Sequence, residues 1–267
     1  MVRDTILPMT ALITEETEGH VRTLGLNRPE KRNAMNLALL EQLSDAMARA
    51  DVDDAVRATV LYAHGPMFTA GLDLLDVLPR LTGAANLFSA MTLDPWATHG
   101  PARTKPLIMA VHGKCLTLGI ELMLAADITV ASDDATFEQI EVDRGIFPFG
   151  GGTMRWVSTV GWGNAMQYLL TGDSLDAREA HRLGLVQRVV ARDELMSTAM
   201  KIATKIAAKP PLAIKATLES ARTAVLEGER AAAAKLLPAI QKLATTEDAR
   251  EAMMAFMQRR TGTFHGR

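Results

Sequence analysis

Residues 110–152 read AVHGKCLTLGIELMLAADITVASDDATFEQIEVDRGIFPFGGG, and this stretch decides the fold. An apolar run ends at Gly113, a natural break point. LTLGIELMLAAD then sets Leu118, Leu122 and Ala125 at helical spacing. Glu121 lies in the first turn of that helix among Leu and Ile, and Glu141 follows 20 positions later in FEQIEVDRG. A carboxylate among apolar neighbours is costly to bury unless it is paired, hydrogen-bonded or protonated. Taken singly, each Glu reads equally well as a surface residue or a helix cap. Taken together, two carboxylates flanking one helix start are the residue types that general acid/base chemistry requires.

Working outward, the whole chain of 267 residues suits one large domain, or one domain with an appendage. Its 48% apolar and 22% charged residues are ordinary for a protein with a full core. The net charge of −2, with no Lys/Arg-rich tract, argues against nucleic acid as a partner. Cys115 is the single cysteine, so no internal disulfide can form and a reducing compartment is expected. No HxxxH pattern or Cys spacing suggests a metal. The first 20 residues carry Glu15, Glu16 and Glu18 rather than a leader, and no apolar run is long enough to span a bilayer. A soluble, cytoplasmic protein with no membrane partner is expected.

VRTLGL (21–26), RATVLYA (57–63), Leu107–His112 and Ile128–Ala131 read as strands. Asn36 reads as the cap of a helix whose stripe is Leu39, Leu40, Leu43, Met47 and Ala50. Helical segments between the strands argue for right-handed crossovers and a mainly parallel α/β core. HGPMFTAGLDLLDVL passes through Gly65, Pro66 and Gly71 into a further helix. Residues 79–105 are irregular, with Phe88, Met91 and Trp96 as candidates for either pocket lining or core packing. Helices are expected over 152–160, 163–170, 176–183, 193–208, 211–226, 229–243 and 247–259. The shift in composition divides the chain into an α/β core at 1–200 and a helical C-terminal subdomain at 201–267.

LNRPEKRNAMN, FTAGLDL (68–74), the stretch 110–152, LTGDSLDAREAHRLGLVQRVV (170–190) and PPLAIKATL (210–218) occur in an order and spacing that resembles the crotonase superfamily. The resemblance is to its enoyl-CoA hydratase/isomerase family and covers nearly the whole chain. It implies a crotonase-like spiral of ββα units in two sheets, followed by helices that build a homotrimer or a dimer of trimers. It implies that an acyl-CoA thioester is the substrate, with CoA as part of that substrate and no separate cofactor.

The resemblance further implies an oxyanion hole of two backbone amides, at Ala70 and Leu118. Relatives commonly carry Gly at the second position, where this chain has Thr117 and Leu118. Glu121 and Glu141 match both carboxylate positions of the hydratase pattern. The implied reaction is syn addition of water across a 2-enoyl-CoA, with Glu121 activating the water and Glu141 protonating C2. The CoA moiety is expected against Ala70, Gly71 and Leu72, with Lys31 or Arg32 near phosphate and Arg259 or Arg260 reaching a neighbouring subunit's CoA. Asp73 adjoins that stretch and reads more readily as a helix cap. Phe147 and Pro148 are expected to turn toward the acyl group, and His112 to be a buried structural residue. Alternatives stay open at this point: an isomerase, thioester hydrolase, decarboxylase or dehalogenase sharing the oxyanion hole, or a CoA-thioester-binding paralogue without catalysis. No GxSxG is present to support a hydrolase triad.

Overall fold

The computed structural model describes residues 11–81 and 91–267, so Phe88 lies outside the described residues. β1 (Ile13–Glu18) and β2 (Val21–Leu26) form an antiparallel hairpin. α1 (Leu37–Val52) begins at Asn36, whose side chain accepts the Leu39 amide at 3.1 Å, and its predicted stripe is buried. There follow β3 (Ala58–Ala63), α2 (Leu74–Leu81), β4 (Leu107–Val111), β5 (Lys114–Leu116), α3 (Leu118–Ala125), β6 (Ile128–Ser132) and β7 (Thr136–Glu138). After a short 3-10 turn at Glu141–Arg144 come α4 (Gly152–Val160), α5 (Trp162–Thr171), β8 (Leu175–Asp176), α6 (Ala177–Leu183) and β9 (Arg188–Val190). The chain closes with α7 (Leu195–Ala207), α8 (Pro211–Glu227), α9 (Glu229–Ala244) and α10 (Glu247–Met257).

The larger sheet has the order β1-β2-β3-β4-β6-β9, and all its pairs except β1–β2 are parallel. β4, LIMAV, is buried at every position, as a central parallel strand covered on both faces must be. One face meets α7 through Ala199, Ala203 and Ala207, which pack with Val21, Val60, Ile108 and Val130. The other meets the main core, where Leu40, Met109, Leu122 and Phe137 belong to one cluster.

The expected ββα repeat is visible in β4–β5–α3 and β6–β7–α4. The first strand of each unit enters the larger sheet and the second enters a three-stranded sheet, β5-β7-β8. The sequence pattern misses β1, whose ITEETE is mostly polar, and also β5, β7, β8 and β9, each two or three residues long and too short for an alternation to register. The strands of the smaller sheet nevertheless place the site. β5 and β7 are parallel with Leu116 opposite Glu138, and Thr69 bridges Cys115 on the other side of β5. Parallel neighbours end at the same edge. The loop after Thr69, the start of α3 and the turn at Glu141 therefore leave this sheet side by side.

Position 200, where composition put the division, falls inside α7, whose small residues face the larger sheet. By packing, α7 belongs with the core. The helices after it leave many apolar side chains exposed, among them Leu226, Leu237, Ile240, Phe256 and Met257. Among the described residues no helix is long and apolar enough to cross a membrane.

Candidate active site

Glu121 and Glu141 line one small cleft of about 70 Å³, together with Ala70, Leu72, Leu74, Thr117, Leu118, Arg144, Ile146 and Phe149. The first comes from the opening turn of α3, a helix buried over Leu118–Met123. The second opens the 3-10 turn after β7.

Both carboxylates are buried, with 0% and 5% of their surface exposed, and each is satisfied on one side only. Glu121 Oε1 accepts the Gly152 amide at 2.7 Å, and Glu141 Oε1 accepts the Gln139 side-chain amide at 2.8 Å. Gln139 is fixed in turn by the Trp156 indole N–H at 3.1 Å, which sets which end of the amide faces Glu141. The second oxygen of each glutamate, Oε2, is buried without a hydrogen-bond partner. Such an orphan oxygen costs ~1–3 kcal/mol, so a pair of them in one cleft requires an explanation. Burial, the dominant cause, pushes the Glu121 carboxyl up to about 7, and the neighbouring Glu141 charge pushes the same way. Burial also raises Glu141, against a lowering contribution from Arg144.

The glycines of FPFGGG have a different task from the one expected. Gly152 supplies the amide that holds Glu121. A Cβ on Gly152 would lie 2.9 Å from Glu121 Oε1, and one on Gly150 would lie 2.8 Å from Leu118 Cδ1 and 3.1 Å from Glu121 Oε2. The segment is glycine because the backbone closes directly over the carboxylate. Phe147 is 63% exposed and does not line the cleft, and Pro148 is buried beside Gly152 without lining it. Ile146 and Phe149 take the places expected of Phe147 and Pro148.

The amide donors need one correction. The Ala70 N–H already donates to the Arg32 carbonyl at 2.9 Å, so it is not available to a ligand. Gly71 N–H is taken by Thr69 Oγ1 at 3.0 Å. The next amide along, Leu72, has no acceptor among the described residues, because the Met35–Leu72 bridge uses Gly71 C=O and Asp73 N–H instead. Leu118 N–H, at the first position of α3, is likewise without an acceptor among the described residues. A helix start leaves such amides unpaired and favours negative charge beside them. Leu72, in the loop after Thr69, and Leu118, at the start of α3, are thus two unpaired amides at the cleft among the described residues. Trp96, fully buried, donates its indole N–H to the Leu118 carbonyl at 3.0 Å and anchors that turn.

The remaining expected residues divide. Asp73 stands at the start of α2, its carbonyl accepting the Asp76 and Val77 amides and its carboxylate pairing with Arg28 at 2.8 Å. Arg28 also holds the Ala34 carbonyl at 2.8 Å, so of the three cations in that loop it is internal, while Lys31 and Arg32 are exposed and outside the cleft. Arg259 is exposed near the C-terminus. Arg260 is paired with Glu251 at 2.5 Å. His112 donates Nε2–H to the Gly65 carbonyl at 3.0 Å, and burial lowers its pKa, in keeping with a neutral structural role. Cys115 is fully buried, and burial pushes its thiol far above the usual range, which leaves it no nucleophilic character at neutral pH. Leu74, Arg144, Ile146, Phe149, Gln139 and Trp156 carried no sequence signal, since their relation to the site exists only through packing.

The chain is similar to known proteins along nearly its whole length. Residues 16–267 match the profile of the enoyl-CoA hydratase/isomerase family. A 2,3-dehydroadipyl-CoA hydratase of Escherichia coli K12 is 36% identical over 259 residues, 97% of this chain and 100% of the relative. A probable enoyl-CoA hydratase of Rhizobium meliloti is 38% identical over 258 residues, 94% of this chain and 97% of the relative. The crystal structure of a probable enoyl-CoA hydratase/isomerase from Mycobacterium abscessus superposes with a TM-score of 0.94 at 50% identity, covering 96% of this chain and 99% of the other.

Proposed function

Since the chain belongs to the enoyl-CoA hydratase/isomerase family, we propose that it adds water across the C2–C3 double bond of a 2-enoyl-CoA, giving a 3-hydroxyacyl-CoA. One observation carries the reading: two buried glutamates line one cleft, each tethered by one oxygen and each leaving the other oxygen without a partner. A water between Oε2 of Glu121 and Oε2 of Glu141 gives both oxygens what they lack.

The thioester carbonyl lies between the Leu72 and Leu118 amides, which stabilise the enolate oxygen as charge develops; each such donor is worth ~3–4 kcal/mol of barrier. Glu121, as carboxylate, takes a proton from water as its oxygen bonds to C3. Glu141, as carboxylic acid, gives a proton to C2. One proton enters and one leaves the pair, so the reaction needs one ionised and one protonated member. Burial raises both carboxyls, Glu121 to about 7, so near neutral pH the pair can hold the one proton the reaction requires.

CoA runs from the cleft past Gly71 and Leu72, with Lys31 and Arg32 exposed nearby for its phosphates. Arg259, close behind α10, is assigned to the CoA of an adjacent subunit. The exposed apolar residues of α8–α10 are assigned to a trimer interface, alone or in a dimer of trimers. The single cysteine, buried as a free thiol, fits a reducing compartment such as the cytoplasm.

The test is loss of the conjugated enoyl-thioester absorbance with purified protein over short, medium and long 2-enoyl-CoAs. Formation of the 3-hydroxyacyl-CoA at any chain length supports the proposal. A shifted double bond, free CoA or released carbon dioxide would replace it with another reaction of the same cleft.

A further inference from the structure

Thr117 occupies a position that its residue type resists. Its φ of 47° and ψ of −114° lie in a region open to glycine and strained for a β-branched side chain. Strain of this kind persists only where the surroundings fix the backbone, and they do so here. Thr117 N–H donates to the Glu138 carbonyl at 3.0 Å, its own carbonyl accepts Ile120 N–H at 2.8 Å, and Trp96 holds the next carbonyl along.

The hydroxyl does not repay that strain inside the protein. Thr117 precedes α3 as its N-cap, where a Thr oxygen ordinarily accepts an amide of the first turn, yet it makes no capping bond. Among the described residues Thr117 Oγ1 has no hydrogen-bond partner of any kind, nor is it one of the sealed buried atoms. It lies over Gly71, so close that a Cβ on that glycine would come within 1.8 Å of Oγ1, and Thr117 lines the cleft. Gly71 immediately precedes the free Leu72 amide, and Thr117 immediately precedes the free Leu118 amide. The hydroxyl is therefore seated between the two donors with its proton uncommitted.

We propose that Thr117 is a catalytic residue of this site, its hydroxyl donating a third hydrogen bond to the thioester oxygen held by the Leu72 and Leu118 amides. The assignment rests on the acyl-CoA reading of the cleft and adds a side-chain donor to a hole otherwise built of backbone. A hydroxyl used by the ligand gives the strained threonine a role that the protein's own hydrogen bonds do not.

The test uses Thr117→Val, Thr117→Ser and Thr117→Gly in the full-length protein, with kcat, KM and thermal midpoint measured for each. Valine keeps the shape and the backbone strain but removes the donor, so kcat should fall about tenfold or more with KM little changed. Serine should restore kcat to within about threefold of wild type. Glycine should lose kcat like valine while its midpoint stays at or above wild type, because the strain is relieved. Wild-type kcat in the valine variant, or a serine variant as slow as valine, overturns the proposal. If the wild-type protein turns over no enoyl-CoA, the hydratase reading falls by itself. The Thr117 assignment is then decided by affinity for butyryl-CoA: weaker binding by valine than by serine upholds it, and equal binding overturns it.

Discussion

Glu121 couples the chemistry of the cleft to the stability of the fold. Its carboxyl has the ordinary value of 4.5 in the unfolded chain and about 7 in the folded one. Between those values the folded state holds a proton that the unfolded state has released. The contribution of Glu121 to stability is thus fully present below pH 4.5 and is lost as pH rises through about 7. Glu121→Gln removes the titration and keeps an oxygen for the Gly152 amide. The variant should be more stable than wild type at about pH 8, by on the order of 2–3 kcal/mol, with the gap closing toward pH 5. Urea denaturation at the two pH values measures this. Activity has the opposite sign: a Glu121 carboxylate is required, so the rate should fall as pH drops below about 7. Equal stability of variant and wild type at both pH values would contradict the burial of a carboxylate here.

At the scale of elements, the site is a junction of three chain segments that leave one edge of the small sheet. Two contacts hold α3 in register with its neighbours, and both can be tested. Gly152 stands at the start of α4 with its Cα against Glu121. Gly152→Ala is compatible with the helical backbone, so its effect is steric: it should displace Glu121 and lower kcat at least tenfold, with a stability loss of ~1–3 kcal/mol. Trp96→Phe removes the bond to the Leu118 carbonyl while keeping an aromatic ring in the core. It should cost ~1–2 kcal/mol in denaturation and lower kcat more than it raises KM.

The sequence makes part of this junction legible. The apolar periodicity around Glu121 and its distance from Glu141 are local properties, and both glutamates stand in one cleft. The donor amides are another matter. Any residue supplies a backbone N–H, and which one stays free depends on Ala70 pairing with the carbonyl of Arg32, far away in the chain. Residue identity carries no trace of that pairing, so Ala70 was expected where Leu72 is free. The same holds for Phe149, which differs from Phe147 only in the way the turn over Gly152 directs it.

Across the molecule, helix positions from 152 onward follow the sequence closely, because most of them are bounded by Gly, Pro or a capping side chain. The division near residue 200 does not, because composition registers helices but not what they pack against, and α7 packs on the sheet. Beyond it, Leu226 is 81% exposed and Phe256 84% exposed in the single chain. Apolar surface of this kind marks association. The protein of 28.9 kDa should elute at three or six times that mass by light scattering. Leu237→Glu, on the exposed face of α9, should reduce it to monomer and lower activity if Arg259 serves an adjacent subunit. A wild-type protein that is monomeric at micromolar concentration would refute that role.

The central claim is that Glu121 and Glu141 act as one unit on one water. The most direct measurement is kcat/KM of Glu121→Gln, Glu141→Gln and the double variant on the preferred 2-enoyl-CoA. Groups that act together are strongly non-additive. Each single variant should lose roughly a thousandfold or more, and the double variant should be no slower than the worse single one. Losses that multiply, or a single variant that keeps most of its activity, would contradict the account.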